Sequence, residues 1–321
     1  MPELPEVQTT VDGINKYLPG RKILSVWTDY KSGYFKGKKN IKDPAYFKKF
    51  RKFVAGKKIK RSERKGKNII VHFSGGGGIL IHMKMTGHLL YGRYEKINPK
   101  LQISNYEQIQ NSKAQKTEDA WLPTEEGPLR DPFNRHIRLV FELSDGKRLA
   151  LSDMRRFAKV MYFETSKLSE CFDGKNIAQD PFEINKKEFI ESLRRKKTGR
   201  IKNILMDQTL VSGIGNIYSD ETLFETGVHP ETNIGDIPDK KLGEIYEGAK
   251  KILKKGIKFG GDSASDYRNI KGEPGAFQKK HKVYRRTGEK CPKKGCSGKI
   301  VRKVVGGRSA HFCNRHQKLK R

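Results

Sequence analysis

The chain has 321 residues, with 68 Lys plus Arg against 36 Asp plus Glu, a formal net charge of +32. Only 35% of its residues are hydrophobic and 32% are charged, which suits two modest domains better than one large core. Such self-repulsion points to a polyanionic partner, nucleic acid first because the excess runs along the whole chain, although a basic structural protein or a membrane-surface binder shares the arithmetic. The longest uncharged stretch, Asn68 to Met83, has 16 residues and four glycines in its middle, too short and too broken to cross a bilayer. Met1 to Glu6 carries no basic region followed by an apolar run, so no secretory signal is expected. Three of the four cysteines, Cys291, Cys296 and Cys313, crowd the C-terminal end away from Cys171, which favours a metal site over a disulfide framework and a cytosolic location.

In chain order, Pro5 and the helical spacing of Val7, Val11, Ile14 and Leu18 predict an opening helix that Pro19-Gly20 ends. Strand-like runs follow at Ile23 to Trp27, Asn68 to Phe73, Gly78 to Met83, Ile137 to Leu143, Arg148 to Leu151 and Lys159 to Phe163, with an Asp145-Gly146 hairpin signal. The polar stretch between Tyr91 and His136 shows little apolar periodicity and reads as an insertion or mobile loop. A linker is expected around Leu168 to Glu183. From Lys186 the pattern turns helical: Phe189, Leu193 and the basic run Arg194 to Lys197 form one helix, and Ile201 to Leu210 a second. Gly213-Ile214-Gly215-Asn216 then breaks the chain before Ile217 to Phe224 and a long helix over Leu242 to Leu253. A glycine-rich loop, Gly256 to Gly275, precedes the cysteines. The fold class is α+β: an N-terminal β-sandwich opened by a helix (1–165), a linker (166–185), a helical domain with a loop (186–281) and a metal-bound hairpin (282–321).

Two constellations carry chemistry. Cys291-x4-Cys296 and Cys313-x2-His316, separated by a spacer with Gly306-Gly307 at a hairpin turn, supply four ligands suited to one structural zinc ion, with His311 an alternative to His316. At the other end, loss of Met1 would leave Pro2 as a secondary amine, and an α-amino group with a reference pKa of about 7.7–8.0 is partly neutral at physiological pH. A neutral amine attacks an aldehyde-like carbon to give an iminium, and Glu3 and Glu6 are placed to move protons.

The string Pro2-Glu3-Leu4-Pro5-Glu6-Val7 resembles the opening motif of the formamidopyrimidine-DNA glycosylase and endonuclease VIII family, and further landmarks follow in the family's order. Lys67 resembles its β-hairpin lysine, Met85 in His82-Met83-Lys84-Met85-Thr86-Gly87 its void-filling methionine, and Arg155 and Phe157 in Asp153-Met154-Arg155-Arg156-Phe157 its intercalation loop. Asn216 is similar to the asparagine of its helix–two-turn–helix element and Arg308 to the arginine at its zinc-finger hairpin tip. The resemblance implies a bifunctional glycosylase and lyase acting on double-stranded DNA that contains oxidised bases or abasic sites. Pro2 would attack C1′, Glu3 would protonate the opened sugar, Lys67 would serve β-elimination and Arg308 δ-elimination. Met85, Arg155 and Phe157 would fill the space a flipped base leaves. Asn216 and Lys197 would touch DNA.

The loop with Ser263, Ser265 and Tyr267 resembles the lid that formamidopyrimidine-DNA glycosylases close over an oxidised purine, which implies 8-oxoguanine and formamidopyrimidines as substrates. An endonuclease VIII-like preference for oxidised pyrimidines, or a damaged-DNA binder without catalysis, are the alternatives. Departures from the family pattern are Gln8 for Glu, Met154 for Pro, the longer first cysteine spacing, His316 for Cys, and Asn134 for a DNA-contacting histidine. One DNA-binding face per chain makes a monomer sufficient.

Overall fold

The computed structural model describes residues 1–97, 120–172 and 176–319. Helix α1 (Leu4–Tyr17) opens with the Glu6 carboxylate accepting the Glu3 backbone N–H at 2.7 Å, and Pro5 sits in the first turn, where a missing N–H costs nothing. Its apolar stripe, Val7, Val11 and Ile14, enters the core of an antiparallel sandwich. One sheet runs β1 (Ile23–Thr28), β8 (Ile137–Leu143), β9 (Arg148–Ser152), β5 (His88–Gly92). The other runs β10 (Lys159–Phe163), β4 (Gly78–His82), β3 (Asn68–Phe73), β2 (Ile59–Lys65).

Strands β3, β4, β5 and β9 are buried on both faces, because their outer sides are covered too. Trp121 and Tyr94 of a hairpin formed by β6 (Tyr94–Ile97) and β7 (Ala120–Pro123) pack on Leu90, Val140 and Ala150. A short turn at Leu168–Phe172 brings Cys171 onto Ile70, Leu80 and Met161. Part of the polar stretch after Tyr91 is therefore regular structure rather than loop, with residues 98–119 outside the described set. The expected linker is likewise pinned: Asp180 is fully buried, 2.7 Å from Arg64, and caps the Phe182 N–H. Sequence reading passed over α2 (Pro44–Val54), a helix capped by the Asp43 side chain that lays Phe50 and Val54 into the core.

In the second half, α3 (Lys186–Arg194), α4 (Ile201–Met206), α5 (Asn216–Thr226) and α6 (Asp239–Lys258) enclose a second core that also takes in Leu4 of α1. Helix α3 stops at Arg194, whose guanidinium holds the Ile234 and Ile237 carbonyls, so Lys197 lies outside the helix in an exposed bend. Helix α4 ends at Met206 because Asp207 caps a turn through Thr209. The tail is a hairpin, β11 (Ile300–Val305) and β12 (Arg308–Cys313), turning at Gly306-Gly307, both with positive φ.

Candidate active site and nucleic-acid interface

The N-terminal residues sit where the two domains meet. Pro2 is buried, and the Leu4 N–H donates to the Gly213 carbonyl at 3.0 Å. The Glu3 carboxylate reaches the start of α5 and accepts the backbone N–H groups of Gly215 at 2.7 Å, Ile217 at 2.9 Å and Tyr218 at 3.3 Å. The acid thus occupies the anion site of a helix N-terminus. A Cβ on Gly215 would lie 2.5 Å from the Glu3 carboxyl carbon, so only glycine lets the carboxylate approach. Glu6 lies behind it, accepting from the Tyr218 hydroxyl at 2.7 Å and from the Asp262 N–H at 2.7 Å. Burial, reinforced by the Glu3 charge, raises the Glu6 pKa to about 7. Lys67, on the β2–β3 turn, is also buried: desolvation lowers its pKa, the Glu3 and Glu6 charges oppose that, and Arg308 adds to it. These charges act on one another across three separate elements, so the folded chain brings Glu3, Glu6, Lys67 and Arg308 together.

Beside this centre, two loops present apolar side chains to solvent. Met85 is 41% exposed and Phe157 46%, unusual for side chains that would normally pack in a core. Arg155 links them: its Nη1 is 3.1 Å from the Met85 sulfur and its guanidinium lies 4.6 Å from the Phe157 ring centroid. The fully buried Asp153 holds both loops, accepting from Thr86 Oγ1 at 2.5 Å, the Tyr30 hydroxyl at 2.8 Å and the Ala158 N–H at 2.7 Å. Each loop also passes through a non-glycine residue with φ of 56°, Lys84 in one and Arg156 in the other. Exposed wedges on a rigid, strained base suit insertion between bases.

Asn216 is half-buried at the start of α5, its Oδ1 without a hydrogen-bond partner among the described residues, and Lys197 is exposed. The glycine-rich loop departs from expectation. Ser263 is internal to the loop, its hydroxyl donating to the Tyr267 carbonyl at 2.6 Å and accepting the Gly275 N–H at 2.8 Å, and Ser265 is exposed. The Tyr267 ring is buried against α1, its hydroxyl donating to the Glu6 carbonyl at 3.0 Å, and here it is a strut rather than a lid surface. Beyond it the loop crosses to the sandwich: the Ile270 carbonyl accepts from the Tyr91 N–H at 2.7 Å, and the Ile270 side chain fills the place a Cβ on Gly13 would need. Asn134, buried, donates to the Gly272 carbonyl at 3.1 Å, so it serves this strap rather than a surface contact.

At the hairpin, one ligand atom from each of Cys291, Cys296, Cys313 and His316 lies within 4.8 Å of the others. Cys296 and Cys313 Sγ are 3.6 Å apart, and Cys291 Sγ is 3.4 Å from His316 Nδ1. A tetrahedron with bonds of about 2.0–2.3 Å has edges of about 3.3–3.8 Å, so the group is spaced for a metal ion. The other imidazole nitrogen, Nε2, is 3.3 Å from the Phe224 carbonyl, the outer hydrogen bond that fixes a metal-binding histidine's tautomer. His311 is not in the group; its backbone N–H and Nδ1 both meet Asp220 Oδ2. Arg308 is exposed at the tip, beyond Gly306, whose carbonyl accepts from Asn203 Nδ2 on α4 at 3.4 Å.

Residues 1–160 match the formamidopyrimidine-DNA glycosylase N-terminal domain and residues 177–268 the formamidopyrimidine-DNA glycosylase H2TH domain. A formamidopyrimidine-DNA glycosylase from Pelotomaculum thermopropionicum is 31% identical over 321 residues, covering 100% of both chains. The chain belongs to the formamidopyrimidine-DNA glycosylase family. Among solved structures, a Lactococcus lactis FPG mutant bound to Fapy-dG-containing DNA superposes with a TM-score of 0.76 at 28% identity, covering 99% of this chain and 100% of that one. MutM bound to DNA with carbocyclic 8-oxo-G gives 0.75 at 29% identity, covering 99% and 100%.

Within this family member, the residues that sequence reading missed are those that hold the named ones. Tyr218, Asp220, Glu221 and Asp262 are buried, and each places a functional element through a side-chain or backbone bond. Asp220 follows Asn216 by four residues, one helical turn, yet nothing in the string tells a buried acid from a solvated one. Among the described residues, no helix is long and apolar enough to cross a membrane.

Proposed function

We propose that the protein is a bifunctional DNA glycosylase and AP lyase of base excision repair, removing oxidised purines such as 8-oxoguanine and formamidopyrimidines from double-stranded DNA. The observation that carries this reading is Pro2 at the domain junction among Glu3, Glu6 and Lys67, next to the exposed Met85, Arg155 and Phe157. With Met1 removed, the Pro2 nitrogen attacks C1′ of the lesion nucleotide as the base leaves, and the Glu3 carboxylate takes the proton Pro2 sheds and passes it to the opening sugar oxygen. The resulting iminium acidifies the C2′ proton. Its removal, for which Lys67 with its lowered pKa is the base, expels the 3′ phosphate, and a second elimination near Arg308 expels the 5′ phosphate. Glu6, at about 7, keeps a proton within one hydrogen bond of the Glu3 amide at neutral pH.

Met85, Arg155 and Phe157 fill the stack, where the guanidinium bonds the orphaned base. Asn216 and Lys197 bind phosphate, and Ser263, Ser265 and Tyr267 belong to the strap at the pocket's rim. The Cys291, Cys296, Cys313 and His316 cluster would hold one zinc ion, which supplies folding energy to the hairpin carrying Arg308. The protein works as a monomer on cytoplasmic, nucleoid DNA.

Borohydride trapping on a duplex with one 8-oxoguanine opposite cytosine tests the reading. A covalent adduct is expected with protein lacking Met1 and a weaker one with Pro2→Gly, which offers a primary amine on a more flexible backbone in place of the proline ring nitrogen; no adduct from the processed wild type overturns the lyase mechanism. Stronger cleavage of a thymine glycol duplex overturns the substrate class.

A further inference from the structure

Asp262 and His281 form a buried pair that the reaction described above does not use. Asp262 Oδ2 and His281 Nε2 are 2.6 Å apart, at side-chain exposures of 3% and 4%. They are out of line for a hydrogen bond, and neither atom has another partner among the described residues. The two residues sit at the two ends of the strap. Asp262 is its root, where its Oδ1 caps the Ala264 N–H at 3.1 Å and its own N–H reaches Glu6. His281 follows the Phe277–Lys280 turn, its ring edge-on to Phe277 and Tyr284, each with centroids 5.4 Å away. The segment just after it is immobilised by α5, since the Glu221 carboxylate accepts the Lys282, Val283 and Tyr284 N–H groups at 2.9–3.0 Å. The imidazole therefore stands on a fixed base and bears on the carboxylate whose backbone donor contacts Glu6.

We propose that Asp262 and His281 are positioning residues for the Glu3–Glu6 acid pair: the imidazole–carboxylate contact clamps the strap root so that the Asp262 N–H stays on Glu6. The consequence for the reaction rests on the glycosylase reading; the clamp itself does not. Glu6 faces Glu3 on its own helix, Tyr218 from α5, Lys67 from the β2–β3 turn, and Asp262 and Tyr267 from the strap. Of these, only the Asp262 amide depends on His281. The donor stabilises ionised Glu6, so its loss displaces the Glu6 titration upward from about 7.

His281→Leu keeps the ring's volume and removes its nitrogen atoms. The expected result is a single-turnover 8-oxoguanine excision profile shifted to higher pH by about 0.5–1 unit, the size expected from one lost hydrogen bond. Affinity for a duplex with a tetrahydrofuran abasic analogue should stay within about twofold, and His281→Gln, which keeps a donor, should restore the wild-type profile. In the same proteins, hydrogen exchange of the Asp262 amide should accelerate at least tenfold in His281→Leu. If His281→Leu does not fold, Asp262→Asn, which removes the charge at nearly constant shape, takes its place with the same expectation. A superimposable pH profile with unchanged amide exchange overturns the proposal. Absence of excision by the wild type overturns the glycosylase reading alone, and amide exchange then decides the clamp.

Discussion

Asp220→Asn tests how the scaffold holds the hairpin that carries Arg308. Lys202 Nζ lies 2.5 Å from Asp220 Oδ1, with side chains 0% and 1% exposed. The other Asp220 oxygen accepts from His311 N at 2.8 Å and Nδ1 at 3.0 Å, which ties α5 to β12. The pair is lopsided. Without Lys202, Asp220 keeps both His311 donors; without the Asp220 charge, Lys202 is left with the Ser219 hydroxyl at 3.1 Å and the Asn216 carbonyl at 3.4 Å.

Stranding a buried charge costs about 3–5 kcal/mol, so Asp220→Asn should lose that much. Lys202→Met, which leaves a hydrogen-bonded carboxylate, should lose about 1–3 kcal/mol. Urea unfolding followed by helical circular dichroism measures both, since Trp27 and Trp121 lie in the other domain and do not report on this one. Because β12 begins at Arg308, Asp220→Asn should also raise the fraction of strand breaks that stop after β-elimination. Equal losses for the two variants, or a larger loss for Lys202→Met, would refute the reasoning.

Three further outcomes are expected. Burial raises the Glu6 pKa from the usual 4.5 to about 7, so the folded state binds an extra proton there and the Glu6 contribution to stability falls as pH rises between those values, by up to about 3 kcal/mol, against the opposite slope of His82, His88 and His136, whose pKa values burial lowers; the difference between wild type and Glu6→Gln in unfolding from pH 4 to 8 should show that falling contribution. Stripping the metal with a strong chelator, or replacing Cys313 by Ser, should abolish DNA cleavage and release one zinc ion per chain by mass spectrometry, while the tryptophan fluorescence of the sandwich is retained. Arg155→Ala should reduce discrimination between an abasic-analogue duplex and intact DNA about tenfold in competition binding, yet change stability by less than about 0.5 kcal/mol because its partners Met85 and Phe157 are exposed.

The strands with dense apolar runs, and the two glycine-marked breaks at Gly213-Ile214-Gly215 and Gly306-Gly307, were legible because one local rule dominates each. Helix α2 and strand β2 were not, since Lys48 to Lys65 is so rich in cations that the apolar positions Phe50, Val54 and Ile59 do not stand out. The site divides in the same way. Pro2, Lys67, Met85, Arg155 and Arg308 were named because motif residues lie close together in the chain. Asp262 and Tyr218 meet Glu6 across 256 and 212 residues of sequence, a proximity created by folding alone. The strut made by Tyr267 was hidden for a related reason: nothing in a glycine-rich loop shows that its aromatic ring fills a groove beside α1.

Helix α5 positions the acids of the candidate site and keeps two of its own carboxylates off the surface. It has no apolar stripe because it is enclosed on all sides, and its polar side chains are occupied inward. Its N-terminus binds Glu3, Tyr218 binds Glu6, Asp220 binds Lys202 and β12, and Glu221 gathers three backbone donors after His281. One rigid element therefore sets the acids, the hairpin arginine and the strap root in a common frame, which the reaction requires because its groups come from both ends of the chain. The same arrangement places scarce carboxylates inside: Glu3, Glu6, Asp153, Asp180, Asp220, Glu221 and Asp262 are all buried, several satisfied by backbone N–H groups rather than by cations. Carboxylates neutralised by the backbone leave lysines and arginines uncompensated at the surface. With these acids inside, the outer face is more basic than the formal net charge of +32 alone implies, which suits a polyanionic partner.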